Sequence, residues 1–284
     1  MRIFLTGASG FTGRHFQTLA SQAGHVVEPL TADLNDKNGL SAELHKAKPD
    51  AVVHLAAISF VGHADATAFY AVNVVGSMNL LSALSELPIA PKSVLLASSA
   101  NVYGNCEISP IAEDQAPEPV NHYATSKLAM ELMARTYVDR LPIVVTRPFN
   151  YTGPGQAANF LIPKLVSHFA RREPIIELGN LHVEREFNDV RMVCNAYLRL
   201  LDSGIAGETY NVCTGRPYSL SEVIQELEKL TDHHMQVKVN PAFVRANEVH
   251  RLCGSPSKLE ACIGEPTDIS LRETLSNMLD HAQS

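Results

Sequence analysis

Short apolar runs alternate with amphipathic stretches along the first half of the chain. Residues 2–6, 26–30, 51–55, 94–97 and 143–146 read as strands. They are apolar throughout rather than alternating, as strands covered on both faces should be. Between them, 14–23, 71–87 and 125–140 carry helical spacing. Strands alternating with helices predict an α/β fold with a doubly wound parallel sheet.

After Pro148 the texture changes: Gly153-Pro154-Gly155 breaks the pattern and shorter elements follow. Residues 160–171 and 219–229 read as helices, the second opened by a Ser219/Glu222 capping box. Residues 235–239 read as a strand and 271–281 as a terminal helix. The expected organisation is a nucleotide-binding domain over 1–150 and a smaller substrate domain over 151–284. The helix-like segment 186–204 returns to pack on the first domain, so the two are interleaved.

At 284 residues and 45% apolar, the chain can bury a substantial core. A net charge of −7 gives no basic footprint, which argues against nucleic acid or an anionic membrane as partner and for a small molecule. The five cysteines are odd in number and widely spaced, without a CxxC pair, so neither a disulfide framework nor a metal site is expected. His233-His234 lacks further ligands at metal-binding spacing and reads as an exposed loop. The apolar run at the N-terminus is too short for a signal peptide, and no apolar stretch of about 18 residues is expected elsewhere. The reading is cytoplasmic.

Candidate chemistry starts at Thr6-Gly7-Ala8-Ser9-Gly10-Phe11-Thr12-Gly13, directly after the first strand and opening a helix. Glycines there let the backbone approach a pyrophosphate, and free amides at the helix start face its charge. A second motif is Tyr123-Ala124-Thr125-Ser126-Lys127. It sets a phenol and an ammonium one helical turn apart, where the cation would lower the phenol's pKa. Coenzyme choice is read at the end of the second strand, where an acid would bond the adenosine ribose. Thr31 stands there, Glu28 belongs to the strand, and Arg14 could pair with a 2′-phosphate or simply be solvated. NADP(H) is favoured and NAD(H) stays open.

The glycine spacing resembles that of the extended short-chain dehydrogenase/reductase superfamily, a Rossmann-type fold. The likeness continues in Asp33-Leu34 (adenine contact), His54-Leu55-Ala56-Ala57 (the turn beside the coenzyme) and Asn73-Val74-Val75-Gly76. Ser98-Ser99-Ala100-Asn101-Val102-Tyr103-Gly104 resembles the family's SSxxVYG segment. The resemblance implies Ser99, Tyr123 and Lys127 as catalytic residues. It implies a coenzyme site formed by Gly7, Gly10, Phe11, Thr12, Gly13, Arg14, Asp33, Leu34, Leu55, Ala56, Ala57, Asn73, Ser98, Tyr123, Lys127 and Phe149.

The second half resembles one branch, the GDP-4-keto-6-deoxy-D-mannose reductases, in the segment from Arg147 to Gln156, in Gly179-Asn180-Leu181 with Arg185-Glu186-Phe187, in Tyr210-Asn211-Val212-Cys213 and in Arg245-Ala246-Asn247-Glu248-Val249. This implies substrate contacts from Ser99, Asn150, Asn159, Arg185, Arg245 and Glu248, the two arginines gripping a diphosphate. The implied activity is hydride transfer from NAD(P)H to C4 of an NDP-4-keto-6-deoxyhexose, the nucleotide being GDP. A nucleotide-sugar 4-epimerase with retained NAD is the alternative. A non-catalytic NAD(P)-binding module is disfavoured because the three catalytic residues are all present. Dehydration is disfavoured because Ala100-Asn101 supplies neither acid nor base. A homodimer is expected through 71–87 and 125–140, using Val72, Leu80, Leu84, Leu128, Leu132 and Met133, unless these side chains face the sheet.

Overall fold

The computed structural model describes residues 1–181, 183–244 and 250–283. The first half runs β1 (Arg2–Thr6), α1 (Phe11–Gln22), β2 (Val26–Pro29), α2 (Lys37–Ala47), β3 (Ala51–His54), α3 (Ala66–Tyr70), α4 (Ser77–Ser85), β4 (Ser93–Ala97), α5 (His122–Ala134) and β5 (Ile143–Pro148). Then come β6 (Tyr151–Thr152), α6 (Leu161–Ala170), β7 (Ile175–Leu178), β8 (Glu184–Glu186), β9 (Asn188–Asp189), α7 (Val190–Ser203) and β10 (Thr209–Val212). The chain closes with β11 (Pro217–Ser219), α8 (Leu220–Thr231), β12 (Gln236–Val239), β13 (Arg251–Leu252), α9 (Ser257–Ile263) and α10 (Leu271–Gln283).

Six strands form one parallel sheet in the order β10-β5-β4-β3-β1-β2. All residues of β3 and of β5 are buried, their apolar runs as strands covered on both faces should be, and His54, Thr146 and Arg147 toward their C-terminal ends with hydrogen-bond partners. One face is covered by α1 and α7, whose Phe16, Val193 and Tyr197 pack with Ile3, Leu5 and Val53. The other is covered by α2, α4 and α5 through Leu40, Leu44, Leu80, Leu84 and Met130. Small sheets β11-β8-β13 and β12-β7 belong to the second half, whose own core joins α6, α8 and α10.

Three differences from the sequence reading have physical causes. The sixth strand, β10, is too short and polar (Thr-Tyr-Asn-Val) to stand out, yet pairs along β5 over its full length. Helix α2 hides behind Gly39; Asp36 caps it by accepting the Gly39 amide at 3.0 Å, and Leu40 and Leu44 bury one face. The helix expected over 71–87 starts earlier, at Ala66, and is interrupted by a wider π-type turn over Ala71–Gly76.

That continuous helical run, Ala66–Ser85, corrects the expectation that no stretch reaches membrane-spanning length, for its mean hydropathy is 1.3. Half of it is buried inside the protein, where it serves as a core helix against the sheet. The same burial corrects the proposed contact surface: Leu80 and Leu84 are fully enclosed, Leu128 and Met133 pack against neighbouring clusters, and Leu132 remains 51% exposed.

Candidate active site

Where β1, β3, β4 and β5 end, their following loops meet around a cavity of about 390 Å³, ordinary for a small-molecule site. Of the expected coenzyme residues, Gly7, Gly10, Phe11, Thr12, Gly13, Leu55, Ala57, Ser98 and Phe149 line it. Ser99, Tyr123, Lys127 and Asn150 line it too. Gly7 adopts φ +72, and a Cβ there would stand 2.7 Å from the Ala56 amide nitrogen. A Cβ on Gly13 would stand 2.2 Å from Gly7 O. Glycine is therefore required for the loop to fold onto itself and α1. The start of α1 has neither a side-chain cap nor an acidic residue in its first turn, which leaves it suited to an anion. A dinucleotide pyrophosphate fits this cradle.

Tyr123 enters the cavity because Asn121 caps α5, accepting the Ala124 amide at 2.9 Å and fixing the helix start. Burial raises the Tyr123 phenol above its ordinary pKa, opposed by a hydrogen bond from Ser99. The Ser99 hydroxyl also accepts the Asn101 amide and the Asn101 Nδ2, each at 3.2 Å. Lys127 donates to Ala97 O at 2.7 Å. Burial pulls its ammonium down to about 8, against the pull of Glu131. The expected lowering of Tyr123 by Lys127 is thus not what this structure shows: desolvation dominates at Tyr123, and the lysine is engaged with a backbone carbonyl.

Behind the cavity two buried polar systems hold these side chains. Ser77 Oγ donates to Asn73 O (2.7 Å), so it accepts from His54 Nε2 at 2.7 Å; the opposite nitrogen, Nδ1, then accepts from Thr6 Oγ1 at 2.6 Å. Burial lowers the His54 pKa to about 3, keeping the ring neutral. Thr6 Oγ1 accepts the Ala56 amide (3.1 Å), and Asn73 Nδ2 donates to Ser126 Oγ (2.9 Å), which donates to Tyr123 O (2.7 Å). The glycine-loop strand is therefore tied through His54 and Asn73 to the helix that carries Tyr123. In the second system Glu131 accepts Ser98 Oγ at 2.5 Å and both Nε and Nη2 of Arg147, at 3.0 and 2.7 Å. Arg147 also donates to Tyr103 Oη, which donates to Asn211.

Other expected residues lie outside the cavity lining. Leu34 is buried beneath Gly76, and Asp33 accepts the Asn35 amide at 2.7 Å in the loop after β2. Ala56 and Asn73 act from behind through the bonds above. Arg14 is exposed at the start of α1 and donates to Ser9 O (2.7 Å) and Gly155 O (3.1 Å). Asn159 is exposed. Arg185 is buried on β8, donating to Glu184 O and His250 O at 2.9 and 3.1 Å. Arg245 and Glu248 lie outside the described residues. Reasoning from sequence missed Tyr151 and Gln156, which line the cavity. Tyr151 shares a 2.8 Å hydrogen bond with Thr12 and stacks on Phe11 with centroids 6.1 Å apart. The signal was its place directly after Asn150.

A family model described as GDP-mannose 4,6 dehydratase matches residues 11–278. The chain is 40% identical over 270 residues to a GDP-6-deoxy-D-talose 4-dehydrogenase of Aggregatibacter actinomycetemcomitans, covering 93% of this chain and 92% of that one. It is 35% identical over 298 residues to a GDP-6-deoxy-D-mannose reductase of Pseudomonas aeruginosa, covering 100% and 97%. The structure of RMD from Pseudomonas aeruginosa complexed with NADPH superposes with a TM-score of 0.93 at 34% identity, over 99% of this chain and 98% of that one. Glycine cradle, Ser-Tyr-Lys cluster and these likenesses agree: the chain belongs to the extended short-chain dehydrogenase/reductase family of NAD(P)-dependent nucleotide-sugar oxidoreductases.

Proposed function

We propose that the protein is a GDP-sugar 4-ketoreductase acting on GDP-4-keto-6-deoxy-D-mannose. The observation that carries this reading is the convergence of Ser99, Tyr123 and Lys127 in one cavity with the glycine loop, while Ala100 and Asn101 bring no acid or base. The site is equipped to move a proton at a carbonyl and not to eliminate water, although the matching family model is named for a dehydratase. The two relatives, named for a GDP-6-deoxyhexose 4-dehydrogenase and reductase, support the same carbon and nucleotide.

When bound, NAD(P)H supplies the hydride that reduces C4. Ser99 donates a hydrogen bond to the C4 oxygen, and Tyr123 gives that oxygen its proton. Burial keeps the phenol protonated at neutral pH until charge develops on the substrate, which suits a general acid. Lys127, charged below about pH 8 and anchored on Ala97 O, holds the coenzyme ribose, while the Ser99 hydrogen bond eases ionisation of Tyr123 until solvent returns the proton. Phe11, Thr12 and Gly13 at the start of α1 bind the pyrophosphate, and Asn150 with Arg185, Arg245 and Glu248 bind the GDP-sugar. The NADPH of the Pseudomonas structure supports NADP(H), whereas an acid folded onto Thr31 favours NAD(H). Val75, Met78 and Leu132, apolar and exposed on the π turn, α4 and α5, support association of these helices into a homodimer.

Incubation with GDP-4-keto-6-deoxymannose and either reduced coenzyme, followed by identification of the sugar, tests the reading. Coenzyme oxidation with formation of a GDP-6-deoxyhexose is expected. Interconversion of C4 epimers without net coenzyme consumption would make the protein an epimerase instead.

A further inference from the structure

Thr31 carries no charge, but the fold returns a charge to its side. Strand β2 runs beside β1 with Pro29 opposite Leu5, and the Leu30 amide still donates to Leu5 O at 2.8 Å, so Thr31 leaves the sheet just past the β2 end, on the strand that flanks the one opening into the glycine loop. Glu43, partly exposed on α2 just before the buried Leu44, reaches Thr31. Its Oε2 accepts the Thr31 amide at 3.0 Å and its Oε1 accepts the Thr31 hydroxyl at 2.5 Å. The Ala32 amide adds a third bond. A carboxylate has about four acceptor positions, so this clamp fixes the group and leaves room for one more donor. Burial alone would raise the Glu43 carboxyl, but the Thr31 and Ala32 bonds and the Lys46 charge bring it below the ordinary value, so it is ionised at neutral pH. Arg14, the cation of the glycine loop, is turned toward the carbonyls of Ser9 and Gly155. Asp33 adds a second acid in the same loop.

We propose that Glu43 is the coenzyme-specificity residue: held on Thr31, its carboxylate accepts the adenosine ribose 2′-hydroxyl of NAD(H) and repels the 2′-phosphate of NADP(H). This rests on the NAD(P) reading of the cavity and reverses the preference that Thr31 by itself suggests. The acid that other chains place at the end of the second strand arrives here from a helix twelve residues later, through a threonine adaptor.

Titration calorimetry of the intact protein with 5′-ADP and with 2′,5′-ADP isolates the one phosphate in question from turnover. The unaltered protein should bind 5′-ADP more tightly, by about tenfold at low salt. Glu43→Gln should narrow that ratio by about fivefold to tenfold, chiefly by tightening 2′,5′-ADP. Added salt should narrow it in the unaltered protein and leave it nearly unmoved in Glu43→Gln, because only a charge repulsion is screened. Glu43→Asp, still charged, should keep more of the discrimination than Glu43→Gln. An unchanged ratio in Glu43→Gln, or a parent protein that prefers 2′,5′-ADP, overturns this assignment alone. Failure of the parent to bind 5′-ADP, NADH or NADPH overturns it together with the coenzyme reading.

Discussion

The coenzyme half and the sugar half of the cleft are built differently. Behind Gly7, Ser99 and Tyr123, polar side chains such as His54, Asn73, Ser126 and Glu131 are each at most 2% exposed and hydrogen-bonded to one another or to the backbone. Among the residues proposed for the sugar, Asn150 and Asn159 are exposed on loops, and Arg185, though buried, is held on a three-residue strand by the carbonyls of Glu184 and His250. A buried network that is fully satisfied fixes one geometry, because any displacement leaves a desolvated group without a partner. On the proposed function, the chemistry common to many substrates falls to that rigid half, and the choice of substrate to short strands and loops.

The largest effect that would test this division is at the rigid half. Tyr123→Phe should lower kcat by at least about a hundredfold while coenzyme affinity, measured by fluorescence titration, stays within about twofold. Near-normal turnover would remove Tyr123 from the proton step. On the sugar side, Arg185→Ala or Arg245→Ala should weaken GDP binding by roughly tenfold to a hundredfold, the loss of a charge-assisted hydrogen bond, with NADPH or NADH affinity unchanged. Equal losses for both ligands would dissolve the distinction between the halves.

Two smaller effects sharpen it. Asn73→Ala strands the Ile58 amide and carbonyl and the Ser126 hydroxyl, and should cost about 1–3 kcal/mol in denaturant unfolding; Asn159→Ala should cost less than about 0.5 kcal/mol. The pH dependence follows from Lys127, whose ammonium is held down to about 8. Its charged form is the working one, so kcat/KM for ketone reduction should fall as pH rises through about 8, and Lys127→Arg should move that limb upward. Stability has the opposite sign: a lysine with a depressed folded pKa disfavours the folded state below about 8, and this penalty fades as pH rises toward the unfolded value. A reduction profile flat to pH 10 would separate Lys127 from catalysis.

The rigid half was also the legible half. Five of the six strands show as apolar runs, and the glycine loop, Ser99 and the Tyr123/Lys127 pair sit in local motifs whose spacing is their geometry. Beyond β10, Tyr151 and Gln156, three features escaped. His54 and Ser77 are ordinary residues until β3 and α4 are packed, so the bonds joining them are invisible in one dimension. The π-type turn at Ala71–Gly76 has apolar spacing close to an ordinary helix, and only the folded backbone reveals it. Glu43 could not be assigned to the end of β2 because α2 itself was unread, and a carboxylate brought from twelve residues away leaves no mark at Thr31.

Strand β10 limits how such a protein can be taken apart. It lies within the second half of the chain, about sixty residues after β5, yet it is the outer neighbour of β5, and Val145 and Phe149 donate their amides to Glu208 O and Val212 O. Cutting the chain after residue 150 would strip β5 of that partner and expose an unpaired apolar edge, a template for aggregation rather than a free nucleotide-binding module. Exchanging substrate specificity with a relative therefore cannot be done by a single fusion point. A chimera has to graft the pieces on either side of α7, β10 and α9 as inserts and keep those three elements native.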